Sequence, residues 1–120
     1  RGVWIGIANY VVHGAETCDM HFIGSAAYDD KDTDWAVHAQ YRPEAGEAES
    51  AALHQIYQIA YETETSLGND AEWPICLAYA VFAVAELLRG ASSAFFGGGR
   101  KIGVSVGFDE GDFVVMRSLR

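Results

Sequence analysis

"DKDTDWAVHAQYR", residues 30–42, decides how many strands this chain is expected to have. Its second half alternates. Trp35, Val37, Ala39 and Tyr41 point one way, and Ala36, His38, Gln40 and Arg42 the other, which is the period of a β-strand. Its first half carries Asp30, Asp32 and Asp34 on alternate positions, the opening of a calcium-binding loop. Such a loop needs glycine at its sixth position and a bidentate glutamate at its twelfth. Counted from Asp30, Trp35 and Tyr41 stand there. The acids therefore read as the solvated tip of a hairpin, where Asp and Thr favour turns by bonding their own backbone. No metal site is expected.

Working outward, Val3 to Val12 is rich in β-branched and aromatic residues on both alternating sets, so it reads as a strand covered on both faces. "HGAET", 13–17, supplies a turn, and 19–28 a second strand. With 34–42 as a third, the first part of the chain reads as an antiparallel meander. Pro43 and Gly46 break it. A helix over 47–65 presents Ala52, Leu53, Ile56, Ile59 and Ala60 as one apolar stripe, with His54, Tyr57 and Tyr61 on its flank. Gly68 and Asp70 are placed to end that helix and begin the next. The second helix, 71–89, is apolar nearly all round, so it is expected to be buried on most sides, with Leu77 and Phe82 in the core. At the end, "IGVSVGFDEGDFVVM", 102–116, reads as a hairpin turning at Asp109 to Asp112, with Gly111 suited to positive φ. If Phe108 and Phe113 pair, Val104, Val106 and Phe108 share a face with Val115. Gly103, Ser105 and Gly107 on the other face allow something to approach closely.

The expected fold is one α+β domain over residues 1–120. It has a single antiparallel sheet of about five strands, element order βββααββ, with two helices packed on it.

Seventeen acids stand against eight bases, for a net charge of −9. An acidic surface repels phosphate backbones and anionic membranes, so nucleic acid and membrane partners are not expected. A basic protein is the electrostatic complement. The apolar run Ile75 to Leu88 is shorter than the roughly 20 residues that span a bilayer, and no signal pattern is visible, which points to the cytoplasm. Scarce lysine, at Lys31 and Lys101 alone, with abundant Ala, Gly, Asp and Glu, has the look of a bacterial protein from a high-GC genome.

Catalytic motifs are lacking. Cys18 and Cys76 fit no zinc or redox spacing: Cys76 reads as a buried thiol, and Cys18 as more exposed but beside Glu16 and Asp19. "GGGRK", 97–101, lacks the spacing of a phosphate loop. His21 and His38 would sit cross-strand only if the turn between them centres near 29–30. Neither a catalytic residue nor a cofactor is assigned. In size, charge and class the chain resembles bacterial toxin-neutralising immunity proteins, which implies a non-enzymatic domain that binds a basic partner through carboxylates and aromatic anchors. The residues for that role are Asp30, Asp32, Asp34, Trp35, Tyr57 and Tyr61. The alternatives are a small enzyme or ligand-binding domain, its pocket lined by His38, His54, Tyr79 or Glu86, and a structural homodimer seated on the apolar second helix.

Overall fold

The computed structural model describes residues 1–44, 49–62, 71–91, 99–109 and 111–117. Four strands and three helices follow in the order β1 (Gly2–Val12), β2 (Ala15–Ser25), α1 (Asp34–Val37), α2 (Ala51–Glu62), α3 (Glu72–Gly90), β3 (Gly103–Phe108) and β4 (Phe113–Arg117). The fold is α+β with one sheet, ordered β2-β1-β3-β4. The sheet is mixed, because β1 runs antiparallel to β2 but parallel to β3. A parallel neighbour needs a crossover, and the three helices supply it.

The β1–β2 hairpin turns on two residues only. His13 and Gly14 both take positive φ, 50° and 81°, the conformation that matches strand twist in a two-residue loop. Pairing then runs unbroken from Val12↔Ala15 to Gly2↔Ser25.

The expected third strand is absent. Residues 34–37 instead form the short helix α1, and the returning chain touches β2 in a single bridge, Gly24↔Tyr41. Trp35 and Ala36, neighbours in sequence, are both buried. A strand sends neighbours to opposite faces and could not bury both against one surface. Asp32 starts the turn. Its carboxylate accepts the Asp34 N–H at 3.0 Å, and its carbonyl accepts the Trp35 indole N–H at 3.1 Å. The sheet is therefore four-stranded and mixed rather than five-stranded and antiparallel.

Two cores result, one on each face of the sheet. Ile5, Ile7, Cys18, Val104, Val106 and Phe108 meet Leu53 and Tyr57 of α2 and Cys76, Ala80 and Val84 of α3. On the other face Trp4 and Ile23 are capped by Trp35 and Ala36, with Tyr28 packed beside them. The small residues of β3 serve this second layer. A Cβ at Gly103 would lie 2.4 Å from the Tyr28 ring, and the Tyr28 hydroxyl lies 3.3 Å from Ser105 Oγ. What approaches closely is the chain's own tyrosine.

Two further expectations change. The β3–β4 register pairs Gly107 with Phe113 and Val106 with Val114, so Val115 lies opposite Ser105, on the Trp4 side rather than with Val106. Gly111 is not among the positive-φ glycines. The capping roles of Gly68 and Asp70 fall outside the described residues.

The largest difference is α3. Only Glu72, Cys76, Ala80 and Val84, one residue per turn, are fully buried. Phe82 is 72% exposed, and Ile75, Tyr79 and Leu87 are exposed with it. Uniform apolarity carries no periodicity, so it cannot reveal which side is covered. By length and composition alone, α3 is also long and apolar enough to cross a membrane, with a mean hydropathy of 1.4 over 18 residues. The run Ile75 to Leu88 counted only the middle of it.

Candidate functional site

A cavity of about 710 Å³ is an open groove where the tip of the β1–β2 hairpin meets α2. Tyr10, Val12, Glu16 and Thr17 form one wall; Glu49, His54, Gln58 and Tyr61 form the other, with Tyr57 between them.

The polar network beneath it is closed. Asp19 is only 4% exposed. The Tyr10 hydroxyl donates to one of its carboxylate oxygens, and His54 Nε2 lies 2.7 Å from the other. A carboxylate on one imidazole nitrogen fixes the ring and leaves Nδ1 for a ligand. The Tyr57 hydroxyl donates to Asn9 Oδ1 at 2.6 Å, and the Tyr61 hydroxyl donates to the buried Glu72 at 3.0 Å. The two rings stack, 5.7 Å apart at 28°. Burial pushes the Tyr57 phenol up. Hydrogen bonding to Glu16 pushes Tyr61 up, with burial and Glu72 adding to it. Both are neutral hydroxyls at ordinary pH.

The α2 spacing brings His54, Tyr57 and Tyr61 to one groove as i, i+3 and i+7 neighbours, so this grouping was legible in the sequence. Tyr57 is a buried floor, 1% exposed, rather than a surface anchor. Trp35 is likewise buried, packed edge-on against Trp4 in the second core. Asp32 is exposed in the loop that follows β2, and Asp34 is exposed at the start of α1. The groove meets β2 near Thr17 and that loop begins past Ser25, so the two features are separated by eight strand residues, about 26 Å. The structure does not bring them together. His38 is exposed and gives its backbone carbonyl to Ser25. Tyr79 and Glu86 lie on the outer side of α3, where Glu86 pairs with Arg89 one turn on.

His21 meets Asp109 rather than His38. Its Nε2 lies 2.7 and 2.9 Å from the two carboxylate oxygens, and the Trp4 indole N–H donates to Asp109 at 3.1 Å. Gly6 makes this possible, because a Cβ there would stand 2.1 Å from His21 Nε2 and 2.4 Å from Asp109 Oδ1. Burial alone would raise the Asp109 carboxyl; the hydrogen bonds from His21 and Trp4, with the charges of His21 and Arg42, outweigh it and hold it below its usual range. A smaller cavity of about 240 Å³ opens beside this pair, between Thr33 and Arg42.

Sequence reasoning did not anticipate Tyr10 and Asp19 as groove partners, nor Asp109 as the partner of His21. The single usable signal was Gly6, a small residue among bulky strand neighbours. Among the described residues no group of three or more metal-ligating side chains converges. The groove brings together hydroxyls, carboxylates and aromatic surface. No protein-family model, no curated protein and no solved structure matches this chain, so its function rests on what these side chains can do.

Proposed function

We propose that this domain is a non-enzymatic protein-binding module, and that its groove receives a cationic side chain of a basic partner. One observation carries the reading. The groove is lined by three tyrosines and by Glu16 and Glu49, with no lysine or arginine among its described lining residues. Tyrosine faces attract cations through the ring quadrupole, and carboxylates at the rim add charge-assisted hydrogen bonds. The net charge of −9 supplies the long-range field that steers such a partner inward. Asp30, Asp32 and Asp34, at the far end of β2, belong to that field rather than to the groove.

The test uses defined peptides. An arginine-rich peptide and its citrulline counterpart, which keeps shape but loses charge, are titrated into isotopically labelled protein. The expected result is shift changes centred on Glu16, His54 and Tyr61 with the arginine peptide alone, weakened several-fold by Glu16→Lys and again by salt. Equal binding of both peptides, or shifts confined to another surface, would contradict the reading.

The exposed side of α3 favours a second reading, a homodimer. Ile75, Tyr79, Phe82 and Leu87 face outward, and the only charges described on that helix's exposed side, Glu86 and Arg89, neutralise each other. A face without net charge lets two acidic copies approach. Sedimentation at tens of micromolar should then give a dimer that Phe82→Glu converts to monomer; a wild-type monomer sinks this reading and leaves the first intact.

A further inference from the structure

We propose that the small cavity beside His21 and Asp109 binds a free amino acid with an apolar side chain, its ammonium on Asp109 and its carboxylate on Arg42. The cavity holds about 240 Å³ and shares none of its described lining residues with the groove. Pockets for drug-sized ligands run to roughly 300–1,000 Å³, so the occupant here is small. Opposite charges line the cavity, the Asp109 carboxylate and the Arg42 guanidinium. They act on each other through space, but among the described residues no ion pair joins them. A molecule with an ammonium and a carboxylate a few bonds apart closes that gap and satisfies both. A simple cation would meet Arg42, and a simple anion Asp109, as a like charge.

Asp109 is held ready for an ammonium. Its Oδ1 takes the Trp4 indole N–H at 3.1 Å and His21 Nε2 at 2.7 Å, and its Oδ2 takes His21 Nε2 at 2.9 Å. An ionised carboxylate offers about four lone-pair positions, so one remains for a further donor. The same bonds fix the carboxylate in place before any ligand arrives. Its side chain is 43% exposed, so a ligand can reach it. Arg42 is exposed as well, and a guanidinium takes a carboxylate through two parallel hydrogen bonds. Most of the remaining wall is apolar. Trp4, Ile23 and Ala36 are buried in it, and Val37 is exposed beside them. An apolar side chain laid on that wall removes both surfaces from water. The inference does not depend on what the groove binds.

Isotopically labelled protein is titrated with glycine, L-alanine, L-valine, L-leucine and L-methionine, each to tens of millimolar. The Trp4 indole N–H, bonded to Asp109, is the reporter. Each amino acid that binds is compared with its two fragments, the amine without the carboxylate and the acid without the ammonium. For valine these are isobutylamine and 3-methylbutanoate. The expected result is a saturable shift of the Trp4 indole and of the Ala36 and Val37 amides with at least one apolar amino acid, and a weaker response to glycine. Each fragment should bind about tenfold or more weakly, the loss of one charge-assisted contact. Arg42→Gln, a change at an exposed position, should weaken the amino acid about tenfold and leave the amine unaffected. Asp109→Asn should weaken the amino acid and the amine but not the acid. No saturable shift with any of the five, a fragment that binds as well as its parent, or full binding by Arg42→Gln would each overturn the proposal.

Discussion

Gly6 is the residue on which the second face of the sheet turns. It pairs with His21 on β2 and with Gly107 on β3, so the space above it lies between two strands. His21 and Asp109 fill that space. Gly6→Ala should force them apart and lower stability by about 1–3 kcal/mol, as overpacking does, measured by urea unfolding. An unchanged midpoint would show that the pair can move aside at no cost. Asp109 also predicts a pH dependence. Its folded pKa lies below its ordinary 3.8, so the unfolded chain binds the proton more tightly. Its contribution is fully present above about pH 5 and is lost as the pH falls through the folded pKa. Stability against pH should therefore fall less steeply on the acid side in Asp109→Asn than in the wild type.

At the scale of elements, α2 and α3 share a composition of apolar residues but differ in how much of it the sheet uses. Leu53 is fully buried between α2 and the sheet, so Leu53→Ala should cost about 2–5 kcal/mol. Phe82 faces outward, so Phe82→Ala should leave the monomer's stability within about 0.5 kcal/mol. The pair of variants checks the rotation of α3 directly: comparable losses in both would mean that Phe82 is covered. In α1, Trp35 contacts both Trp4 and Tyr28, with ring centres 6.4 and 5.1 Å away. Trp35→Ala should cost about 3–5 kcal/mol. Asp32→Asn and Asp34→Asn together should cost far less, because exposed turn charges contribute little. These changes, followed by tryptophan fluorescence during denaturation, separate the core role of the segment from its acidic tip.

For the whole molecule, charge is the dominant property. A net charge of −9 on a chain with principal extents of 49 × 25 × 24 Å repels itself. Raising sodium chloride from about 10 mM to 150 mM shortens the screening length from roughly 30 to 8 Å. The thermal midpoint should rise over that range, while association with a basic peptide slows. A midpoint that falls with salt would mean that attractive pairs such as His21–Asp109 outweigh the net repulsion.

The strands β1 and β2, the final hairpin and both long helices were legible in the sequence, because each rests on local chemistry: β-branched runs, turn residues and helical spacing over ten or more positions. The grouping of His54, Tyr57 and Tyr61 was legible for the same reason. What only the tertiary structure decided depends on contacts between distant residues. Residues 34–42 alternate like a strand, yet the uncovered face around Trp4 and Ile23 offered Trp35 and Ala36 more burial together than an edge strand offers either. The parallel pairing of β1 with β3 followed from the crossover. Asp19 and Asp109 each join segments at least 35 residues apart. A one-dimensional pattern records which residues are apolar; which of them meet is set by how the layers close.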